Sequence, residues 1–219
     1  GREKQFVADA SHDLKTPLSV ILANNSILRE NPEARVGSLS RWTDSTQQAA
    51  KRMQQLIGEM LTLADVERPE APLELTQVDI ASLVMKAALE LESVAYEQGV
   101  ALDTELPDSL LGRSSENYLQ RIAASLMENA IKYEPRGGQV LVTLTRSRRH
   151  AVLEVRNRST CISQEDLPHV FDRFYRSDKS RQSKTGGHGL GLAITKEMVT
   201  KLGGTIQAGS GEDGTTFSV

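Results

Sequence analysis

The first part of the chain carries a hydrophobic pattern with helical spacing. Between Phe6 and Leu28, apolar or small residues recur every three or four positions, with Asn24 as the polar exception. A second series alternates strictly between three- and four-residue steps, which is typical of a coiled-coil or bundle seam. It comprises Leu39, Trp42, Thr46, Ala49, Met53, Leu56, Met60 and Leu63. The pattern predicts a helical hairpin over residues 1–67. Because two helices cannot enclose a core alone, we expect the hairpin to form a dimeric four-helix bundle.

A proline-rich break separates this hairpin from a segment of different character. Pro69 and Pro72 end the second helix, and we place a linker at residues 68–77. Beyond it, helical periodicity and strand-like alternation follow each other, which predicts a mixed α and β domain over residues 78–219. The expected helices cover residues 80–98, 114–133 and 190–202. The expected strands cover residues 100–106, 139–145 and 151–155, and two more lie near the C-terminus. A long Gly-rich loop covers residues 163–188 and contains a short helical piece at 165–171.

Composition narrows the class of protein. The 26 basic and 29 acidic side chains give a net charge of −3, so no overall positive field exists to bind nucleic acid or an anionic membrane. The single cysteine, Cys161, excludes an internal disulfide and favours a reducing compartment. No apolar run approaches the ~20 residues that span a bilayer, and the first residues do not resemble a signal peptide. We expect a cytoplasmic piece of a longer protein, with no nucleic acid and no direct membrane contact.

His12 is the first candidate for chemistry. It lies off the apolar face of the first predicted helix and is followed directly by Asp13. A carboxylate in that place can fix the imidazole tautomer and leave the other ring nitrogen as a nucleophile. Thr16 lies one turn further on the same face, where a hydroxyl can position a water, and Pro17 removes a backbone hydrogen bond nearby. A solvated surface histidine is the alternative that these residues leave open.

Two further segments suit phosphate chemistry. Asn129 and Lys132 lie on one face of a predicted helix, three residues apart. An amide oxygen beside an ammonium suits a Mg²⁺-bound triphosphate. The run Gly186–Ile194 places glycines where a loop enters a helix N-terminus, which favours phosphate, although it matches neither a Walker loop nor a dinucleotide fingerprint. Each segment alone is also compatible with a plain helix surface or a flexible hinge.

Together, these segments resemble the conserved boxes of sensor histidine kinases. Ser11–Pro17 resembles their H box, Glu128–Tyr133 their N box, Phe171–Arg176 their F box and Gly187–Leu192 their G2 box. The resemblance covers essentially the whole chain, and four boxes in this order and at these spacings are much more specific than any one of them. It implies an α+β multidomain protein, in which a dimerisation and histidine-phosphotransfer hairpin precedes an α/β sandwich with the Bergerat ATP-binding fold.

The resemblance also implies roles for individual residues. His12 would accept the γ-phosphoryl group of ATP with Asp13 as its polarising base, and Thr16 would orient water when the phosphorylated partner is dephosphorylated. Asn129 would hold Mg²⁺, so ATP and Mg²⁺ are expected. The other residues implied in ATP binding are Lys132, Tyr133, Asn157, Arg173, Arg176, Gly187, Gly189, Leu190 and Gly191. The implied partners are a second copy, bound through residues 1–67, and a response-regulator receiver domain, with the parent protein in a bacterial inner or plasma membrane.

One box departs from the family pattern. Where relatives usually read Asp-x-Gly-x-Gly-Ile, this chain reads Asn-Arg-Ser-Thr-Cys-Ile over residues 157–162. Asn157 can still accept a hydrogen bond from the adenine amino group, but without a charge assistance worth roughly 1 kcal/mol. Ser159 and Cys161 replace glycines that let the backbone pass close to the base. We therefore expect weaker ATP binding, and we expect that restoring the three family residues tightens it.

The sequence supports one leading hypothesis and two rivals. The leading hypothesis is ATP-dependent autophosphorylation of His12 and transfer of the phosphoryl group to an aspartate of a response regulator. Ser125 stands where hydrolytic relatives carry a glutamate, and its lack of basicity argues for transfer rather than hydrolysis. The first rival is a pseudokinase whose hairpin acts as a phosphatase or scaffold. The second is a dimeric coiled-coil module without chemistry.

Overall fold

The computed structural model describes residues 2–68, 73–148, 150–177 and 187–219. Gly186, the rest of the Gly-rich loop from 178 and the linker residues 69–72 lie outside the described residues. The chain divides into two compact units, Gly1–Ala64 and Asp65–Val219. Within the described ranges, no helix combines the length and the apolar character needed to cross a membrane.

The first unit is a helical hairpin. Helix α1 (Arg2–Glu30) and helix α2 (Ser40–Glu67) are joined through a short 3₁₀ helix (Val36–Leu39). Five buried residues of the two helices are members of the predicted series: Ala10 and Asn24 in α1, and Ala49, Leu56 and Leu63 in α2. Val66, in the last turn of α2, is also buried but lies beyond the series. The prediction of a helical hairpin is confirmed, and the two series are the faces that the helices bury.

Part of the α2 seam is covered within a single chain. Leu56 is fully buried and Leu63 is 1% exposed, although the sequence pattern predicts a seam that a partner completes. Apolar residues at other positions of the two helices remain exposed: Val7, Leu18, Val20 and Leu22 in α1, and Ile57 and Leu61 in α2. These residues, together with the half-buried seam residues Trp42, Met53 and Met60, leave apolar surface on the hairpin.

The second unit is an α/β sandwich, as the family resemblance implies. Its strands are β1 (Thr76–Asp79), β2 (Ala101–Glu105), β3 (Leu111–Ser114), β4 (Gln139–Ser147), β5 (His150–Asn157), β6 (Gln207–Gly211) and β7 (Gly214–Ser218). Five of them form a sheet in the order β2–β4–β5–β7–β6, with β2 parallel to β4 and the other neighbours antiparallel. The helices are α3 (Ile80–Gln98), α4 (Glu116–Tyr133) and α5 (Gly191–Lys201), and α4 packs on the sheet with α3 and α5 beside it.

Strand alternation builds the core beneath α4. Val140, Val142 and Leu144 of β4 are buried, as are Leu153 and Val155 of β5, because every second side chain of a strand points to the same face. The same alternation places Asn157, the last residue of β5, on the buried face with 3% exposure. A polar side chain thus enters the core at the point where α4 ends.

A small second sheet was not predicted from the sequence. Strands β1 and β3 pair antiparallel, and β1 ends at Asp79, which caps α3. The Asp79 carboxylate accepts hydrogen bonds from the backbone N–H groups of Leu110 (2.9 Å) and Ala81 (3.1 Å) and from the hydroxyl of Ser82 (3.2 Å). The Leu110 N–H and then the Ser109 hydroxyl are the main causes that hold the pKa of Asp79 below its ordinary value. The strands were missed because each has only four residues.

Candidate functional site

His12 is fully accessible on α1. Its side chain is 82% exposed, and its Nδ1 atom lies 3.5 Å from a carboxylate oxygen of Asp13. The Thr16 hydroxyl donates to the His12 carbonyl at 3.5 Å, the outer limit of a hydrogen bond. Pro17 lies within the helix and has no N–H for the carbonyl of Asp13. One ring nitrogen therefore faces a carboxylate, and the other is open to solvent.

Lys132 brings two of the predicted boxes together. Its ammonium lies 2.6 Å from the point where a Cβ on Gly187 would be, although 55 residues separate the two in sequence. The same ammonium lies 5.1 Å from the ring centroid of Tyr133. Asn129, one turn earlier on α4, is half-buried. The end of α4 and the start of the glycine run thus form one surface that carries a cation.

The F and G2 boxes are joined through their backbones. The Phe174 N–H donates to the Gly189 carbonyl at 3.0 Å. Gly189 has φ +73°, and a Cβ there would lie 2.7 Å from the carbonyl oxygen of Tyr175, so no side chain fits. Leu190 follows as a fully buried residue. Gly189 and Leu190 therefore fix the entry to α5, where the free N–H groups of a helix N-terminus face a phosphate most favourably.

Ser125 has a structural partner. Its hydroxyl oxygen accepts a hydrogen bond from the Thr195 hydroxyl at 2.9 Å, and a Cβ on Gly191 would lie 3.8 Å from it. These contacts hold α5 against α4. The residue that stands in the place of a water-activating glutamate therefore serves helix packing.

The two predicted arginines lie in different surroundings. Arg173 forms an ion pair with Glu67, in the last turn of α2, a turn that belongs to the second compact unit. That turn is also bound by Lys201, whose ammonium donates to the carbonyls of Val66 (3.0 Å) and Arg68 (2.8 Å). Arg176 is half-buried. A carboxylate thus engages Arg173, the first of the two predicted arginines.

Asn157 is held by two acceptors at the end of α4. Its amide nitrogen donates to the carbonyl of Ala130 (2.6 Å) and to a carboxylate oxygen of Glu134 (3.1 Å). Glu134 is only 5% exposed and also accepts from the backbone N–H groups of Ser159 (3.1 Å) and Gln139 (3.2 Å). Glu134 was missed by sequence reasoning. Its only signal is a carboxylate at the C-terminal end of a helix, where the helix dipole disfavours negative charge.

The loop after Asn157 accommodates its non-glycine residues. Among the described residues other than glycine, a positive φ occurs at Arg148 and Phe174, so Ser159 and Cys161 avoid the left-handed region. The Thr160 hydroxyl donates to the Tyr133 carbonyl at 2.7 Å, and the Cys161 thiol donates to the Gly211 carbonyl at 2.9 Å. The loop is thus tied to both α4 and the β6–β7 hairpin.

The described residues are compatible with Mg²⁺ that is held mainly by a nucleotide. No cluster of three or more His, Cys, Asp or Glu side chains suited to a metal occurs in the described part of the chain. Mg²⁺ commonly keeps several waters and binds through one or two protein oxygens together with substrate phosphates. An amide oxygen such as that of Asn129 is a hard ligand of this kind.

Comparisons with known proteins agree with this architecture. Residues 2–69 match the His Kinase A (phospho-acceptor) domain, and residues 114–219 match the histidine kinase-, DNA gyrase B- and HSP90-like ATPase domain. Sensor protein DltS of Streptococcus agalactiae is 32% identical over 94% of this chain and 51% of its own length. Sensor histidine kinase YcbM of Bacillus subtilis is 30% identical over 94% of this chain and 67% of its own length. The chain thus spans about half the length of DltS.

Solved structures share the fold. Histidine kinase AdeS of Acinetobacter baumannii superposes with a TM-score of 0.75 at 21% identity, covering 94% of this chain and 95% of AdeS. Histidine kinase ThkA, solved in complex with the response regulator TrrA, gives a TM-score of 0.78 at 18% identity, covering 98% of this chain and 60% of that one. With both domains matched in order and a relative covered over two thirds of its length, the chain belongs to the sensor histidine kinase family and contains its phospho-acceptor and ATP-binding domains.

Proposed function

We propose that this chain is the catalytic core of an ATP-dependent protein-histidine kinase. In this proposal, His12 is phosphorylated and then passes its phosphoryl group to an aspartate of a response regulator. The observation that carries the proposal is the 82% exposure of the His12 side chain beside Asp13. A phosphoacceptor histidine must be accessible first to the nucleotide and then to the receiver domain. A buried histidine would be accessible to neither.

The chemistry at His12 follows from its two nitrogens. Nδ1 faces Asp13 at 3.5 Å, which favours the tautomer with the proton on Nδ1 and a lone pair on Nε2. Nε2 attacks the γ-phosphorus of ATP, a new N–P bond forms, and the bond from that phosphorus to the bridging oxygen breaks, so ADP leaves. The imidazole becomes cationic while it retains the Nδ1 proton, and the Asp13 carboxylate stabilises that charge.

The phosphate-binding role is assigned to the surface around Lys132 and Gly187. The absence of a side chain at Gly187 leaves room for the Lys132 ammonium, which approaches the glycine run. A positive charge next to a helix N-terminus stabilises a polyphosphate. We assign Arg176 and Tyr133 to the same surface by family position. Asn129 would hold Mg²⁺, which when bound neutralises charge on the phosphate oxygens.

The proposed assembly is a homodimer that binds a receiver domain. The exposed apolar residues of the hairpin, such as Leu22 (59%) and Leu61 (62%), suit a second copy better than water. ThkA, which shares the fold, is solved with a response regulator bound, and this supports a receiver domain as partner. The location of the parent protein in a membrane stays a prediction.

Phosphorylation of His12 is tested directly with γ-labelled ATP and Mg²⁺. We expect label that is stable in base and labile in acid, as a phosphoramidate requires. His12→Gln should abolish the label and leave ADP binding unchanged, because the histidine is an exposed residue of α1 and not part of the nucleotide-binding unit. Label retained on the His12→Gln protein would overturn the assignment. Nucleotide binding without any label would instead favour the pseudokinase with a phosphatase or scaffold role.

A further inference from the structure

Glu134 and Asn157 form a buried pair whose orientation is fixed. The Asn157 amide nitrogen faces the Ala130 carbonyl at 2.6 Å and the Glu134 carboxylate at 3.1 Å. Both partners are acceptors, so an amide turned the other way would place its oxygen against two oxygens. The NH₂ side of Asn157 therefore points to the end of α4, and its oxygen points away from these two groups.

The Glu134 carboxylate is balanced by donors from three directions. Asn157 reaches it from β5, Ser159 from the following loop and Gln139 from the start of β4. A Cβ at Gly138 would lie 2.3 Å from its Oε1 atom, so the chain leaves room for this carboxylate. A buried charge at the negative end of a helix needs such donors to be tolerated.

We propose that Glu134 is a positioning residue that orients and polarises Asn157 so that the Asn157 oxygen reads the amino group of adenine. This inference rests on the proposed function, and on the family resemblance that assigns Asn157 to the adenine amino group. Relatives usually carry a negatively charged aspartate at the position of Asn157. In this chain the negative charge is instead on Glu134, which is hydrogen-bonded to Asn157. The carboxylate accepts a hydrogen bond from the amide NH₂ and so shifts electron density toward the amide oxygen. That oxygen becomes a stronger acceptor, because linked hydrogen bonds polarise one another.

The pair also predicts discrimination between purines. Adenine presents an amino donor where guanine presents a carbonyl acceptor. An amide whose oxygen is fixed toward the base accepts from adenine and repels guanine. If Asn157 were free to turn, it would serve either base, so the selectivity depends on Glu134 and the Ala130 carbonyl.

For the aspartate alone, this geometry leads to the opposite expectation from the one drawn from the family pattern for the three residues together. Asn157→Asp would place a carboxylate against the Glu134 carboxylate and the Ala130 carbonyl, at the positions where the amide now donates. The two carboxylates and the Ala130 carbonyl would then face one another with no hydrogen-bond donor among them. Restoring the aspartate alone should therefore weaken adenine binding, or make it depend on a proton shared by the two carboxylates.

The test compares ADP and GDP binding by calorimetry in the full chain and four variants. Glu134→Gln has nearly the same shape but turns an NH₂ toward one of the three donors. It should weaken ADP about tenfold and lower the ADP-to-GDP preference by about fivefold or more. Asn157→Asp should weaken ADP by a similar factor and recover affinity as the pH falls from about 8 to about 6, as the shared proton is taken up.

A reciprocal double variant distinguishes a specific hydrogen bond between residues 134 and 157 from a general disturbance of the fold. In Glu134→Gln with Asn157→Asp, the amide and the carboxylate exchange places, so a donor again faces an acceptor. This double variant should bind ADP about fivefold more tightly than Asn157→Asp alone. Thr160→Val is the matched control, because it removes a tether between the same loop and the same helix end without touching the pair. It should leave the ADP-to-GDP preference unchanged.

The outcomes distinguish this inference from the proposed function. If the unaltered chain binds ADP but Glu134→Gln leaves the purine preference unchanged, Glu134 does not orient Asn157. Lack of recovery in the double variant, or an equal loss of preference in Thr160→Val, would overturn the inference in the same way. Should Glu134→Gln fail to fold, the pH dependence of Asn157→Asp decides: a flat profile contradicts the pair. If the unaltered chain binds neither nucleotide, the proposed function falls, and this inference falls with it.

Discussion

The ammonium of Lys132 lies where a side chain on Gly187 would begin. A Cβ at Gly187 would be 2.6 Å from the Lys132 Nζ atom, closer than any real contact of that kind. The glycine and the lysine therefore depend on each other, although one belongs to the glycine run and the other to α4.

Gly187→Ala should weaken nucleotide binding without harming the fold. The methyl group displaces the end of a flexible side chain rather than backbone, so the protein should unfold at nearly the same temperature. The ammonium moves away from the phosphates, and the weakened charge-assisted contact should raise the Kd for ADP about tenfold. Calorimetry with ADP measures the loss. Gly209→Ala is the control, because nothing lies within 4 Å of a Cβ there. Equal affinities in the two variants would contradict the phosphate role of Lys132.

Asn24→Leu should stabilise the hairpin. Asn24 is 5% exposed, and among the described residues its amide nitrogen has no hydrogen-bond partner. An unsatisfied buried donor costs about 1–3 kcal/mol, which an apolar side chain of similar size would not incur. Thermal unfolding should therefore show a higher Tm for Asn24→Leu. Its exposed neighbour Asn25 supplies the control, since Asn25→Leu should leave the Tm unchanged. A lower Tm for Asn24→Leu would show that the amide has a partner in the assembled protein.

The secondary structure was largely predictable because it depends on local periodicity. Helix α3 begins at Ile80 and ends at Gln98 as the spacing of apolar residues predicts. The alternation of residues 139–145 and 151–155 predicted two strands, and both are present as β4 and β5. The predicted helical piece near Phe171 is only a 3₁₀ helix, Leu167–His169, because Pro168 and few apolar residues limit a longer helix. Where a few neighbouring residues decide the structure, the sequence was sufficient.

The long-range contacts of the candidate site were not predictable from the sequence. Asn157 and Glu134 are 23 residues apart, and only the packing of α4 over β5 brings them together. No pattern in the chain shows which way an amide turns in a buried site. The hairpin gives a second example, because the regular seam of α2 suggested a surface for a partner while Leu56 is buried within the chain itself. His12 was found because its partner, Asp13, is its neighbour in sequence.

The proposed dimer should depend on the residues that the hairpin leaves exposed. Leu22 and Leu61 are 59% and 62% exposed in the single chain, and a charged side chain would be costly if a second copy covered them. Leu22→Lys with Leu61→Lys should therefore be monomeric at micromolar concentration, as sedimentation would show. Leu89→Lys is the matched control, because Leu89 has the same 62% exposure on α3 of the other unit. A dimer that survives the double substitution would place the interface elsewhere.

Asp79 should make the stability of the second unit depend on pH. Hydrogen bonds from the Leu110 N–H, then from the Ser109 hydroxyl and from Ser82, favour the charged carboxylate and lower its pKa in the folded state. A group with a lowered pKa stabilises the fold above the unfolded-state pKa, near 4 for aspartate, and loses that contribution as the pH falls through the folded-state value.

Asp79→Asn keeps the shape of the cap but removes the charge, so it should be less stable than the unaltered chain at pH 7. The difference should shrink as the pH falls below about 4, where the aspartate also takes up its proton. Urea unfolding of both proteins at several pH values measures this, with Asp108→Asn as a control that removes an exposed carboxylate two residues before Leu110. A difference between Asp79→Asn and the unaltered chain that stays constant down to the acid limit would mean that shape, and not charge, sets the strength of this cap.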